Sequence, residues 1–264
     1  VEAVQMSRAG LLDDNKPVAS LLFVGPTGVG KTEVARVLAH ELGLGLVRFD
    51  MSEYAEKHTV AKLIGSPAGY VGYEDGGLLT DAIRRTPNCV LLLDEIEKAH
   101  SDIYNLLLQV MDYASLSDNR GRKADFRHVV LIMTSNAGAQ HSGKASIGFT
   151  GNANRGAAMM KAVKATFKPE FLNRLSQTVV FNDLDHTMAA LILDKKLNEL
   201  RSRLRNRKIT LSLDDAATQW MLTKGFTPEY GAREIDRVIS RSLKPLLMRE
   251  ILFGKLKKGG NATL

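Results

Sequence analysis

The stretch that decides the fold reads GPTGVGKT and runs from Gly25 to Thr32. It follows the apolar run SLLFV and precedes EVARVLAHELG, whose apolar residues recur at helical spacing. The stretch satisfies the pattern G-x-x-x-x-G-K-S/T, with the strand before it and the helix after it that give this pattern its meaning. A glycine-rich turn that binds nothing is the alternative, and the two flanking elements disfavour it.

The composition of this stretch suits a phosphate group. Its glycines allow a tight turn whose N–H groups point at phosphate oxygens, and the following helix adds the positive end of its dipole. Lys31 would place a positive charge at the β- and γ-phosphates, and the Thr32 hydroxyl can ligate Mg²⁺. We therefore predict a site for a nucleotide and Mg²⁺, formed by Gly25, Pro26, Thr27, Gly28, Val29, Gly30, Lys31 and Thr32.

The segment CVLLLDEIEKAH, which starts at Cys89, predicts the catalytic half of the same site. Its four apolar residues indicate a strand buried on both faces, and two carboxylates follow at the carboxyl end, where open sheets place their sites. Asp94 is predicted to hold Mg²⁺. Glu95 is placed to accept a proton from an attacking water, which favours a hydrolase over a kinase. In isolation, an acidic pair of this kind is more typical of a surface turn.

The segment HVVLIMTSN ends another predicted strand with Asn136. This asparagine would lie between the nucleotide-binding strands and orient the water together with Glu95. An asparagine that only caps or turns the end of a strand is the alternative.

Strand-like and helix-like segments alternate through the first two thirds of the chain. The runs SLLFV, LVRFD, CVLLLD, HVVLIMTS and QTVVF are strand candidates. Between them lie the helical patterns VARVLAHEL, LLTDAIRR and IYNLLLQVM. This alternation predicts an α/β fold with a parallel sheet and helices on both faces. Beyond Asn182 helices dominate, with predicted helices over residues 186–206, 214–224 and 232–253 and with ITLSL and ATL as short strands. We therefore predict a large nucleotide-binding domain over residues 1–182 and a smaller, mostly helical domain over residues 183–264.

Composition excludes several classes of protein. The chain of 264 residues is 44% hydrophobic and 25% charged, as in ordinary globular proteins, and it has no apolar run that could span a bilayer. We see no signal peptide and expect a cytoplasmic protein. Because the chain starts without Met, we expect it to be part of a longer protein. Cys89 is alone, so no internal disulfide forms, and we interpret it as a small apolar core residue. The histidines lack paired ligand spacing, so we predict no zinc site.

The net charge of +7 is concentrated in the last third of the chain, because residues 183–264 carry 16 basic and 10 acidic side chains. A basic tail can indicate nucleic-acid binding. However, the segment RSRLRNRK contains no aromatic residue, and a solvated helix face accounts for it better. We predict no nucleic-acid partner.

Further motifs recur in a fixed order along the chain: RFDMSEY, GYVGY, LLLDEIEKAH, GRKADFR, TSNAG, IGF, FKPEFLNR and GARE. Together with GPTGVGKT they make the whole chain resemble an AAA+ ATPase of the Clp family of protein unfoldases, in particular the second ATPase module of the ClpA-type members. The resemblance implies ATP and Mg²⁺ as cofactors, a hexameric ring, and unfolded or tagged polypeptides as substrates, with adaptor proteins as further partners.

The resemblance also assigns roles to single residues. These are Walker A for Lys31 and Thr32, Walker B for Asp94 and Glu95, sensor 1 for Asn136, arginine finger for Arg174, and sensor 2 for Arg233. A finger acts on the nucleotide of a neighbouring subunit, which requires head-to-tail ring contacts. The alternatives are a surface or salt-bridged arginine for Arg174 and a solvent-facing arginine at a helix start for Arg233.

Two further segments match parts of the family that handle protein chains. In GSPAGYVGYEDGG, Tyr70 and Val71 match the pair that grips the substrate in the central pore, although a tyrosine folded back on its own domain is the alternative. Ile147, Gly148 and Phe149 match the loop that docks on the ClpP peptidase, with a loop tucked against its own module as the alternative. ClpB-like disaggregases lack this tripeptide and are the second functional candidate. A DNA-processing AAA+ protein and a nucleotide switch without turnover are less favoured, because residues 1–182 are nearly neutral and Glu95 is present.

Overall fold

The chain divides into two compact units in a computed structural model that describes residues 4–6, 9–11, 13, 15–66, 76–138, 152–227 and 231–264. For residues 152–155 only the backbone is described. Unit 1 comprises residues 1–25 and 30–181, and unit 2 comprises residues 26–29 and 182–264. The boundary between the two functional domains, which the sequence places at residue 182, stays a prediction.

The sheet of unit 1 has five parallel strands, which are β1 Ala19–Val24, β2 Gly45–Asp50, β3 Cys89–Asp94, β6 Val130–Ser135 and β7 Gln177–Val180. They lie side by side in the order β2-β3-β6-β1-β7. Each strand coincides with one of the five predicted apolar runs. The predicted α/β fold with a parallel sheet is confirmed.

Helices surround this sheet. Unit 1 contains α1 Lys31–Glu41, α2 Lys57–Ile64, α3 Leu78–Arg85, α4 Ser101–Tyr113, α5 Asn152–Thr166 and α6 Pro169–Leu172, with 3₁₀ turns at Met51–Tyr54 and Ile96–Lys98. The helices α1, α3 and α4 lie where the apolar spacing predicts them.

Both faces of the sheet are covered, as the central strand β3 shows most clearly. All six of its residues are buried. Val90 and Leu92 belong to the apolar cluster that contains residues of α1, whereas Leu91 and Leu93 belong to the cluster that contains residues of α3 and α4. Each fully buried leucine contributes about 1.5–3 kcal/mol to stability. Cys89, at the start of the same strand, is buried, and burial raises the pKa of its thiol to about 11. It is a core residue, as predicted.

A short antiparallel hairpin, which the sequence did not predict, follows α4. It consists of β4 Ser115–Ser117 and β5 Lys123–Asp125. Its turn is organised by Asp118, whose side chain accepts the backbone N–H groups of Arg120 at 2.9 Å and Arg122 at 2.8 Å. The same carboxylate pairs with Arg84 at 3.1 Å and with the Arg122 Nε at 2.9 Å. Burial alone would raise the pKa of Asp118, but these donors lower it below its usual value.

Removal of the Asp118 charge is expected to destabilise unit 1 in a pH-dependent way. Because the pKa of this carboxyl is lower in the folded state than in the unfolded chain, its contribution is present at neutral pH and is lost as the pH falls through the folded pKa. We expect Asp118→Asn to lower the free energy of unfolding by about 3 kcal/mol at pH 7, with a smaller difference from wild type at pH 3.

Denaturant titrations at several pH values measure this difference. Asp125→Asn is the matched control, because Asp125 lies in the same hairpin and pairs with Arg127 on the surface. An exposed pair contributes only about 0–1 kcal/mol. Equal effects of the two substitutions at pH 7 would contradict the prediction.

Unit 2 is mostly helical and has its own apolar core, which includes Leu193, Ile209 and Ile235. Its elements are α7 His186–Arg205, β8 Ile209–Ser212, α8 Asp215–Gly225, α9 Arg233–Val238, α10 Lys244–Leu252 and β9 Gly260–Thr263. The strands β8 and β9 pair in parallel.

The last helical region of unit 2 differs from the prediction of one helix over residues 232–253. Between α9 and α10 the chain forms a turn of π-helix, Ile239–Leu243. Pro245 lies at the start of α10. A proline has no N–H group to donate to the preceding turn, which favours a helix start and explains the interruption. Within the described ranges, no helix combines the length and apolar character needed to cross a bilayer.

Candidate nucleotide-binding site

The phosphate-loop motif starts where β1 ends, between two neighbouring strands. The N–H of Gly25 donates to the Ser135 carbonyl at 3.3 Å, and the N–H of Phe181 donates to the Val24 carbonyl at 2.7 Å. A Cβ atom on Gly25 would lie 2.7 Å from the carbonyl oxygen of Phe181. Only glycine therefore allows the chain to leave β1 at this point.

Lys31 is the first residue of α1 and is only 8% exposed. Its Nζ donates to the carbonyl oxygen of Gly25 at 2.6 Å and to the Oδ1 of Asn136 at 2.8 Å. A buried ammonium group needs partners of this kind, because desolvation of an unpaired charge is costly. The two bonds fix the ammonium between the start of the loop and the end of β6.

Asp94 ends β3 next to Thr32. The Thr32 hydroxyl lies 3.3 Å from the Oδ1 and 3.2 Å from the Oδ2 of this carboxylate. A carboxylate and a hydroxyl that converge in this way are the oxygen ligands that Mg²⁺ prefers. The residues therefore fit the predicted cation.

Two further side chains hold Asp94, and the sequence did not reveal either of them. Arg48 pairs with its Oδ2 at 2.7 Å, and the Thr134 hydroxyl donates to its Oδ1. The parallel register places Arg48 opposite Leu92, two residues before Asp94. A charged residue within the apolar run LVRFD was the available signal for Arg48.

Glu95 has a left-handed backbone conformation, with φ 57°. A non-glycine residue in this conformation costs about 1–3 kcal/mol, and such strain concentrates at functional sites. Its N–H donates to the Thr134 hydroxyl at 3.1 Å, and its Oε1 lies 3.4 Å from the Nδ2 of Asn136. Its Oε2 forms an ion pair with Lys98, a further residue that sequence reasoning missed. The structure thus brings Lys31, Asn136 and Glu95 together as one connected group.

Comparison with known families agrees with this geometry. Residues 16–178 match the family described as "AAA domain (Cdc48 subfamily)", and residues 184–264 match the "C-terminal, D2-small domain, of ClpB protein". The chain belongs to the Clp family of AAA+ ATPases. The resemblance drawn from the motifs is therefore confirmed.

Similar curated proteins include both ClpA- and ClpB-named members of the Clp family. The "ClpA homolog protein" of Fuscovulum blasticum is 50% identical over 258 residues, which cover 98% of this chain and 32% of that protein. The "Chaperone protein ClpB 1" of Parasynechococcus marenigrum is 48% identical over 265 residues, covering 98% of this chain and 30% of that protein. The "Chaperone protein ClpB" of Corynebacterium efficiens is 46% identical over 261 residues, covering 98% of this chain and 29% of that protein. The chain spans about a third of the length of these relatives.

Arg174, the predicted finger of this Clp-family module, lies at the opposite edge of the sheet from Lys31. It precedes β7, and the neighbouring Ser176 N–H donates to the Ser20 carbonyl at 2.8 Å, near the start of β1. A six-residue strand such as β1 is about 20 Å long. Arg174 is 39% exposed and its Nε pairs with the Oδ1 of Asp112 at 2.8 Å. Arg174 therefore lies about one strand length away from Lys31 of its own chain.

The other family-derived residues are placed only in part. Arg233 is the first residue of α9 in unit 2, and its side chain is exposed, so its sensor role stays a prediction. Tyr70 and Val71 of the substrate-gripping pair lie outside the described residues, as do Ile147–Phe149 of the predicted docking tripeptide.

The two ends of the segment that contains Tyr70 are described, and they lie against each other. A Cβ atom on Gly77 would lie 2.5 Å from the Leu63 carbonyl oxygen, so the chain passes there only as glycine. Asn119 lies at the same place, because its N–H donates to the Ile64 carbonyl at 3.0 Å and its side-chain amide to the Gly65 carbonyl. We call this arrangement of residues 63–65, 76, 77 and 119 the neck.

Proposed function

We propose that the protein is an ATP-driven protein unfoldase that hydrolyses ATP with Mg²⁺ in a hexameric ring and passes the unfolded chain to a ClpP-type peptidase. The observation that carries the ATPase part is the convergence of Lys31, Asn136, Glu95, Thr32 and Asp94 at one edge of the sheet. Each has the chemistry that phosphoryl transfer to water requires.

Each residue of this group has a separate task in the proposal. Lys31 and the N–H groups of the loop bind the phosphates, while Thr32 and Asp94 would hold Mg²⁺, which offsets the negative charge of the phosphates. Glu95 accepts the proton of the attacking water, and Asn136 orients that water. Asn136 is suited to this task because its amide contacts Lys31 on one side and Glu95 on the other.

The position of Arg174 supports the proposed assembly into a ring. Because it lies at the sheet edge opposite the phosphate loop, we propose that it stabilises charge on the nucleotide of the neighbouring subunit. Arg233 is proposed to contact the nucleotide from the helical domain, so that nucleotide state changes the angle between the domains.

The protease partner separates the two functional candidates. A ClpA homolog and ClpB chaperones are similar to this chain to nearly the same degree, and its small domain matches that of ClpB, which supports the disaggregase alternative. The tripeptide Ile147–Phe149 supports the peptidase partner. It offers an aliphatic and an aromatic anchor around a glycine, a combination that fills a hydrophobic pocket, and several such loops on one ring act through avidity.

Substitution of the docking tripeptide tests this assignment in the full-length protein that carries the chain. We expect Phe149→Ala or Ile147→Ala to abolish ClpP-dependent degradation while ATP hydrolysis and substrate unfolding persist. Tyr70→Ala is the matched comparison, because loss of the aromatic grip is expected to slow both unfolding and degradation but to leave most ATP hydrolysis. All three activities are measured on one preparation.

Which of the three activities each variant loses decides between the two functional candidates. Undiminished degradation after both anchors are replaced would remove the docking role and favour the disaggregase. Undiminished unfolding by Tyr70→Ala would remove the gripping role instead.

A further inference from the structure

Glu97 lies close to the ATPase residues but has no role in the proposed reaction so far. It belongs to the 3₁₀ turn Ile96–Lys98 that follows β3 and Glu95. Its Oε1 accepts the backbone N–H of Asn136 at 3.0 Å. Its Oε2 is buried and has no hydrogen-bond partner among the described residues. A buried acceptor without a partner costs about 1–3 kcal/mol, so the position of this carboxylate calls for an explanation.

The bond to Asn136 lies beyond the paired part of β3 and β6. The register of these two strands ends at the pair of Leu93 and Met133, three residues before Asn136. The acceptor for the Asn136 N–H is the Glu97 side chain. The backbone of Asn136 is therefore held by a carboxylate from the turn that also follows the predicted base, Glu95.

The turn that carries Glu97 is itself fixed. Ile96 is fully buried, and its carbonyl oxygen accepts the Tyr104 hydroxyl of α4 at 2.7 Å. Burial, together with the nearby Glu97 charge, raises the pKa of Tyr104 to about 12, so this hydroxyl remains a donor at physiological pH. A side chain can hold another residue in place only when its own conformation is fixed. Because this turn is fixed, the single hydrogen bond from Glu97 is enough to hold the Asn136 backbone.

We propose that Glu97 is a positioning residue for ATP hydrolysis, which holds the Asn136 backbone so that the Asn136 amide spans Lys31 and Glu95. The inference rests on the proposed ATPase function. The proposed role depends on the ability of the Glu97 side chain to accept a hydrogen bond and not on its charge. It also requires that Glu97 acts through Asn136 and not directly on the nucleotide.

Steady-state ATPase kinetics and nucleotide affinity of the full-length protein test both requirements. We expect Glu97→Ala to lower kcat by about 10–100-fold, because a shift of about 1 Å in an orienting group has effects of this size, while the Kd for a non-hydrolysable ATP analogue changes less than about twofold. Glu97→Gln retains an acceptor oxygen and is expected to keep kcat within about threefold of wild type. Glu97→Asp keeps the charge but withdraws the oxygens by about 1.5 Å, and it is expected to behave as Glu97→Ala does.

A double-mutant cycle distinguishes action through Asn136 from general stabilisation. If Glu97 works through the Asn136 amide, Glu97→Ala lowers kcat no further once Asn136 is already Ala. Glu41→Ala is the control, because Glu41 lies exposed at the end of α1 and pairs only weakly with His40 among the contacts of the described residues.

Three results would overturn the inference. These are a wild-type kcat for both Glu97→Ala and Glu97→Asp, an equal loss for Glu97→Gln and Glu97→Ala, or additive losses in the cycle. Failure of the proposed ATPase function would give a different result from these three. In that case Lys31→Ala would hydrolyse ATP at the wild-type rate.

Discussion

Replacement of Arg174 by Ala is expected to lower ATP hydrolysis by the assembled ring by ~10³–10⁵-fold, while the affinity for ATP changes little. The reason is that the guanidinium group would stabilise charge that develops on the γ-phosphate of the neighbouring subunit during the reaction. Asp112→Ala is the matched control, because it breaks the same ion pair within the chain but leaves the arginine in place. A purely structural role for the pair predicts similar losses for both substitutions, and this outcome would contradict the assignment.

Mixed rings test whether Arg174 acts between chains. In the proposed ring, Arg174→Ala subunits alone or Glu95→Gln subunits alone would leave every site without one of these two groups. In a mixed ring, an intact Glu95 meets an intact Arg174 wherever the two kinds of subunit are neighbours in the right order, so part of the activity returns. Mixtures that hydrolyse no more ATP than the sum of the separate rings would exclude action between chains.

Glu95→Gln is expected to lower kcat by ~10²–10⁴-fold and to leave ATP bound, because it removes a proton acceptor without removing a phosphate contact. The glutamine oxygen can still accept the Asn136 amide, which lies 3.4 Å from Glu95 in the structure. Lys31→Ala is expected to abolish ATP binding instead, since it removes the buried ammonium group at the loop. Binding titrations and single-turnover hydrolysis separate the two effects. Equal ATP affinity in wild type and Lys31→Ala would refute the phosphate assignment.

Local patterns in the sequence predicted the sheet and the phosphate loop because both depend on residues that are adjacent along the chain. A strand buried on two faces must be a continuous apolar run, as in β3, and the tight turn before Lys31 needs its glycines within a few positions. The side chains that fix these residues come from elsewhere. Arg48 and Thr134 reach Asp94 from neighbouring strands, and only the order of strands in the sheet brings them there.

Other structural features were not predicted because the sequence pattern that would indicate them is too short or is absent. The strands β4 and β5 have three residues each, too few for an alternating pattern to stand out. The pairing of Arg174 with Asp112 joins α4 to the segment after α6, and neither residue type indicates its partner. Motif resemblance suggested Arg174 as the finger, but its distance from the phosphate loop of its own chain required the fold.

The neck also bears on how this module can change in evolution. The chain enters at Gly65 and leaves at Gly77 at nearly the same point, since a Cβ atom on Gly65 would lie 3.4 Å from the carbonyl carbon of Gly76. Insertions or deletions between these residues therefore need not move α2 or α3. Each doubling of the intervening length costs only about 0.6 kcal/mol of closure entropy. The length and the side chains of the stretch between the two glycines can therefore vary while the helices on either side of it keep their positions.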